Sequence, residues 1–203
     1  MGRPIIGAVS ESEAQALSSA MTALEAAFLI GVPGVTEVWL VRHADCYEGL
    51  VDKPDPPLST RGEKQAERLA QRLRRLGFDA IYSSPLRRAL DTARAISDGV
   101  EVDERLKEIE TDLSDGRVAV AEEPDVVMGR MRGAVEDAVA RHPGGRVVIV
   151  GHALSILGYL CDVLRLEFGT LRLFPYYTSV NTVRVLGDRR MVGSLADIAH
   201  LEA

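Results

Sequence analysis

Thr36-Glu37-Val38-Trp39-Leu40-Val41, followed by Arg42-His43, and Arg146-Val147-Val148-Ile149-Val150, followed by Gly151-His152, are the two stretches on which the fold turns. Short runs of Val, Ile and Leu of this kind read as buried parallel strands. In open α/β sheets the working crevice lies just beyond the carboxyl ends of such strands. The chain has four histidines, and two of them stand at this one kind of position. Arg42 adjoins the first, and a helix start follows the second, whose N–H groups and dipole favour negative charge. Both strand ends therefore point to an anion.

Outward from these strands, helix and strand patterns alternate to the end of the sequence, which makes the class α/β. Residues 1–35 read as a helical extension and 36–203 as the main domain. In the extension, Ser10 to Ile30 is predicted helical, with Ser10 and Glu13 as a capping box. Ala14, Leu17, Met21, Leu24 and Phe28 form its apolar stripe, and Gly31-Val32-Pro33-Gly34 stops it. The stripe is expected to cover the domain's own surface, with a homodimer contact as the second reading. Its polar face lacks the Lys and Arg of a membrane-surface helix. Thr60 to Leu76 is helical, with Thr60 and Glu63 as a second capping box. Its basic stripe (Arg61, Lys64, Arg68, Arg72, Arg75) is interleaved with Glu63 and Glu67 and reads as a solvated face. Strand 79–83 follows, then Ser84 as the cap of a helix with Pro85 at its first position. A short strand 100–102, helices 124–142 and 153–166, and two strands near 180–186 and 190–194 around a Gly187-Asp188 turn complete the chain.

Composition narrows the class. With 203 residues and 46% apolar content the chain can build a full core, and a net charge of −6 argues against nucleic acid or an anionic membrane as partner. No apolar stretch is long enough to span a bilayer and no secretory signal is visible. The two cysteines, Cys46 and Cys161, sit in no metal or redox motif, so a reducing, cytoplasmic compartment is expected. Cys46 lies three residues from His43 but has no recognisable base nearby.

Arg42, the pair Arg87-Arg88 at the start of a helix, and the two histidines suit a phosphoryl group, because guanidinium forks match phosphate oxygens. A neutral imidazole is a competent nucleophile, and flanking arginines keep it unprotonated. A metal site made of His43, Asp45 and His152 is the rival, and two arginines in the same pocket oppose it. Histidines that merely pack at strand ends are the plain structural alternative.

Five blocks in order carry a resemblance. Leu40-Val41-Arg42-His43-Ala44, Leu58-Ser59-Thr60-Arg61-Gly62 with Gln65-Ala66, Ser83-Ser84-Pro85-Leu86-Arg87-Arg88-Ala89 with Thr92-Ala93, Arg105-Leu106-Lys107-Glu108-Ile109, and Val148-Ile149-Val150-Gly151-His152-Ala153 together resemble the histidine phosphatase superfamily. The resemblance spans about residues 36–200. It implies a phosphoglycerate-mutase-like fold: a three-layer α/β/α domain with a mostly parallel central sheet. It implies that His43 becomes phosphohistidine, that Arg42, Arg88 and His152 hold the phosphoryl oxygens, and that Glu108 is the proton donor, with no metal and no cofactor. Arg87 would lie at the rim.

The departures bear on function. Ala44 and Ala153 stand where glycine is usual, and the loop from His43 to Leu58 lacks the asparagine of the mutase and sugar-phosphatase branches. The stretch between Glu108 and His152 is shorter than in the mutases, and a short cap leaves the site open to water. The expected activity is hydrolysis of a small phosphate ester. A phosphohistidine or phosphoserine protein phosphatase, a phosphoglycerate mutase and a silent phosphate-binding module are the alternatives. Glu108 and Glu110 would face the same way on an extended segment, so the choice of Glu108 as acid rests on the resemblance alone.

Overall fold

A computed structural model describes residues 11–46, 55–114 and 117–202. They divide into two compact units, with the boundary between Pro33 and Gly34.

The larger unit is organised by strand alternation. In β1 (Thr36–Arg42), Val38 and Leu40 enter one core while Trp39 and Val41 enter another. In β6 (Arg146–Gly151), Val147 and Ile149 match the first pair, and Val148 and Val150 the second. A strand buried on both faces must be covered by helices on both. The first core is closed by α4 (Pro124–Arg141, through Val127, Met131 and Val135) and α5 (Ala153–Leu164, through Ile156, Tyr159 and Leu160). The second is closed by α2 (Thr60–Leu76, through Leu69, Ala70 and Leu73) and α3 (Arg87–Ile96, through Ala89, Ala93 and Ile96). This is the three-layer α/β/α arrangement.

Six strands form the sheet. The outer four are β2 (Ala80–Ser83), β3 (Val100–Val102), β7 (Val180–Leu186) and β8 (Arg189–Asp197), and the order is β3-β2-β6-β1-β7-β8. β3, β2, β6 and β1 run parallel, and β7 and β8 are antiparallel additions. Arg42 aligns with Gly151, and Ser83 with Val150. The carboxyl ends of β1, β6 and β2 therefore finish side by side.

Several local expectations need correction. The N-cap of α2 is Ser59, whose hydroxyl accepts from the Gly62 N–H at 3.0 Å; Thr60 is already helical. α3 starts at Arg87 with Leu86 as its cap residue, so Ser84 is not a helix cap. Asp55 instead receives the Arg87 N–H. Residues 107–110 are not a strand; a turn of 3-10 helix at Glu104–Leu106 precedes them. A two-stranded hairpin, β4 (Thr111–Ser114) and β5 (Arg117–Val120), occupies a stretch in which no element was expected.

The smaller unit holds α1 (Glu11–Ala27). The helix stops earlier than the Gly31–Gly34 signal, at a turn where Leu29 adopts φ 58°. Leu17, Met21, Leu24 and Phe28 are each more than half exposed. The proposed Ser10–Glu13 capping box lies outside the described residues. No helix among the described residues is long and apolar enough to cross a membrane.

Candidate active site

Because β1 and β6 are adjacent and in register, the residues that follow them meet. The His43 N–H donates to the Gly151 carbonyl at 2.9 Å, and the His43 and His152 rings lie 5.1 Å apart, centroid to centroid. Both side chains are buried.

The His43 ring is fixed by backbone. Nδ1 lies 2.7 Å from the Ala44 carbonyl oxygen, which can only accept, so Nδ1 carries the proton. Nε2 then carries a lone pair, and Arg88 Nε donates toward it at 3.3 Å. Burial, above all, lowers the His43 pKa to about 3, and the Arg88 and Arg42 charges add to this against the Ala44 bond. The imidazole is therefore neutral near pH 7 with its nucleophilic nitrogen exposed to the arginine. His152 is lowered in the same direction, first by burial and then by His43, Arg88 and Arg42.

Arg42 is gripped from the segment before β7. Its guanidinium lies 3.9 Å from the ring centre of Tyr177 and 4.9 Å from that of Phe174, and Nη1 donates to the Pro175 carbonyl at 2.8 Å. Among the described buried side-chain atoms, Arg42 Nε and His152 Nδ1 are without a hydrogen-bond partner. Buried polar atoms are nearly always satisfied. Two open nitrogens, on a guanidinium and a histidine whose surroundings feel the charges of Arg42 and Arg88, suit an anion.

The sequence blocks have local reasons. Thr92 Oγ1 accepts from the Ala44 N–H at 2.9 Å and donates to the Arg88 carbonyl at 2.7 Å, which ties the nucleophile's loop to α3. Gln65 Oε1 accepts the Asp45 N–H, and the Asp45 carbonyl accepts from the Ser59 N–H, each at 2.9 Å. A Cβ on Gly62 would come within 1.9 Å of that same carbonyl, so only glycine lets α2 approach the loop this closely.

Glu108 meets the first turn of α5. Its Oε1 accepts from the Ser155 and Ile109 N–H groups at 2.8 and 2.9 Å, and its Oε2 from Leu154 N–H at 3.2 Å. The N–H groups expected to receive the bound anion are thus taken by a carboxylate of the chain itself. The exposed Glu110 immediately precedes β4, and its carbonyl accepts from the Ala121 N–H. The Arg87 side chain is 60% exposed and pairs with Asp91, while Arg88 is 12% exposed and also faces Asp55 at 3.7 Å. Cys46 is buried, and that burial raises its thiol pKa, which opposes a nucleophilic thiolate.

A family model for the histidine phosphatase superfamily, branch 1, matches residues 38–121 and 110–198. The chain is 31% identical over 188 residues to phosphoserine phosphatase 1 of Hydrogenobacter thermophilus, covering 75% of this chain and 88% of the relative. It is 27% identical to the probable phosphoglycerate mutase GpmB of Cronobacter sakazakii, covering 82% and 95%. Among solved structures, Bacillus stearothermophilus YhfR superposes with a TM-score of 0.70 at 26% identity, covering 82% of this chain and 99% of that one.

The chain belongs to the histidine phosphatase superfamily.

It is a phosphatase, and its substrate is a phosphate ester. Two parts of the site of this histidine phosphatase escaped the sequence reading. The Phe174–Tyr177 segment carried a visible signal, three aromatic residues within four positions, but nothing tied it to Arg42 across more than a hundred residues. The basic stripe of α2 is not simply solvated: Arg72 pairs with Asp197 at 2.5 Å, Arg68 donates to the Leu201 carbonyl, and Arg61 donates to the Tyr176 hydroxyl. Of the remaining histidines, His142 caps α4 and His200 meets the Thr178 hydroxyl. Among the described residues no group of three or more His, Cys, Asp and Glu side chains is arranged to hold a metal.

Proposed function

We propose that this phosphatase hydrolyses a small phosphomonoester through a phosphohistidine on His43, without metal or cofactor. The observation that carries the reading is the His43 Nε2 lone pair, fixed by the Ala44 carbonyl and met by Arg88, with the His152 ring 5.1 Å from the His43 ring and the Arg42 charge acting on it. In the first step Nε2 attacks phosphorus, the P–O ester bond breaks, and Glu108 gives its proton to the departing alkoxide. Glu108 Oε2, held by one 3.2 Å bond, has the lone-pair capacity to carry that proton. In the second step water attacks phosphorus, an O–P bond forms as the N–P bond breaks, Glu108 takes the water's proton, Nε2 regains its electron pair, and orthophosphate leaves. Arg42, Arg88 and His152 hold the phosphoryl oxygens in both steps.

Phosphoserine is the first substrate to try, since a 31% identical relative carries the name phosphoserine phosphatase. The mutase-named relatives favour a second reading, transfer between hydroxyls of a phosphorylated hydroxyacid. Rapid quench during turnover of phosphoserine, with orthophosphate and isomerised product both measured, separates the two. Acid-labile, base-stable phosphate on His43 with orthophosphate as product is the expected result. Turnover that survives His43→Ala, or that a chelator abolishes, would sink the mechanism.

The exposed stripe of α1 supports a homodimer through the N-terminal extension, residues 1–35, beside a catalytic domain of residues 36–203. Solution mass that is unchanged after removal of residues 1–30 would refute it. The two free, buried cysteines support a reducing, cytoplasmic setting.

A further inference from the structure

The sheet brings a third residue, Ser84, to the strand ends beside the two histidines. Ser84 follows β2, His152 follows β6 and His43 follows β1, in that lateral order. The Ser84 N–H donates to the Val150 carbonyl at 3.0 Å, which seats Ser84 directly beside Gly151-His152. Ser84 and His152 are both fully buried, and Ser84 Oγ lies 2.8 Å from His152 Nε2.

The direction of that hydrogen bond follows from counting donors and acceptors. Ser84 Oγ already accepts from the Leu86 N–H at 3.3 Å. A hydroxyl has one proton to give, and the acceptor within reach of it among the described atoms is His152 Nε2. With the proton of Ser84 on the bond, Nε2 is the acceptor and His152 is the Nδ1–H tautomer. The reverse arrangement, Nε2–H donating to Ser84, leaves the serine proton buried without an acceptor and turns the Nδ1 lone pair toward the anion. Each such unmet buried group costs about 1–3 kcal/mol. A lone pair facing a phosphoryl oxygen adds repulsion to that. The neutral state of His152, enforced by burial, is what makes the tautomer matter: an imidazolium would donate from both nitrogens.

We propose that Ser84 is the positioning residue that selects the tautomer of His152, so that Nδ1 carries the proton and presents an N–H to the phosphoryl oxygens. This rests on the phosphohistidine reading above and deepens it. Ser84 thus serves two neighbours at once: its oxygen accepts from the Leu86 N–H and its proton goes to the histidine, while Asp55 accepts the Arg87 N–H at the start of α3. The two histidines are then the same tautomer put to opposite uses. His43 holds its proton on Nδ1 and attacks with Nε2; His152 receives at Nε2 and donates from Nδ1.

The test has a spectroscopic and a kinetic arm. Long-range 1H–15N correlation spectra of the wild type should show His152 neutral and protonated on Nδ1, and Ser84→Ala should lose that fixed pattern. Ser84→Ala should lower kcat/KM for phosphoserine by roughly 10–100-fold, the usual worth of a partner that orients a working histidine. It should weaken competitive inhibition by inorganic phosphate in step. Ser84→Thr, which keeps the hydroxyl, should recover most of both, and the spectrum of Ser84→Ala carries the argument where the extra methyl is not accommodated. Ser83→Ala is the control, since the Ser83 hydroxyl donates to the Ser84 carbonyl and touches neither histidine. His152 found protonated on Nε2, or wild-type kinetics in Ser84→Ala, overturns the proposal. Turnover that survives His43→Ala overturns the phosphohistidine reading and this proposal with it. Full dependence on His43 together with indifference to Ser84 overturns this proposal alone.

Discussion

The ends of β1 and β6 are nearly the same in sequence, an apolar run and then a histidine, yet the protein secures their rings by different means. His43 is held by the backbone carbonyl of the residue that follows it. His152 is held by a side-chain hydroxyl from the neighbouring strand. A carbonyl can only accept, so the first ring is locked by covalent neighbourhood. A hydroxyl can accept or donate, so the second ring depends on what else surrounds Ser84. The difference fits the proposed roles: the nitrogen that would attack phosphorus is kept unprotonated by the less mutable partner.

The largest way to break this comparison is to remove the first ring. His43→Ala should cut turnover by at least about 10³-fold while leaving the melting temperature close to wild type, as measured by steady-state kinetics and thermal scanning. A phosphate-binding role alone for His43 would leave a much smaller loss. Next comes Glu108, the proposed proton donor at the first turn of α5. Glu108→Gln should slow alkyl phosphates by roughly 10²–10⁴-fold and spare aryl phosphates with good leaving groups, whereas Glu110→Gln should slow both classes slightly and equally. A plot of rate against leaving-group pKa that steepens only in the Glu110 variant moves the acid by two residues.

Smaller effects sharpen the picture of how Arg42 is held. Tyr177→Leu removes one of its two rings and should raise KM by roughly 2- to 30-fold, the equivalent of a cation–π contact, with kcat little changed. A fall in kcat alone would mean that Tyr177 acts on the His43 ring, 5.8 Å away, rather than on Arg42. The smallest effect is on stability against pH. His43 is held neutral down to about pH 3 and His200 to about pH 4, mainly by burial, and His152 is depressed in the same direction. Below the ordinary histidine pKa the unfolded chain binds protons that the native one refuses, so stability is lost as pH falls from about 6.5 toward these depressed values. Melting temperature should drop over that window, and His152→Asn should flatten the drop.

The sheet and helices were largely readable because two-sided burial writes itself as continuous Val/Ile/Leu runs, and α2 as a three-four spacing of Ala66, Leu69, Ala70 and Leu73. Arg42, His43 and His152 were named as candidates from their positions after strands, and Arg88 over Arg87 from the resemblance. What sequence could not show was partnership across distance. Ser84 before Pro85 looks like a cap, and only the register of β2 against β6 reveals His152 beside it. The N-terminus of α5 looks free for an anion, and only the fold brings Glu108 to it. Phe174 and Tyr177 meet Arg42 through a chain reversal that no local pattern encodes. The β4–β5 hairpin was missed because Asp112 to Gly116 reads as turn chemistry throughout.

Arg42 bears on the tempo of binding. A long side chain that is free in solution loses roughly 2 kcal/mol of rotamer entropy when it is pinned. Here two rings and the Pro175 carbonyl have already pinned it before any phosphate arrives. On the proposed role of Arg42, capture of the anion is then a collision with a finished surface rather than a search, and single-step association without a lagging isomerisation phase is the kinetic signature it should leave in stopped-flow traces with inorganic phosphate.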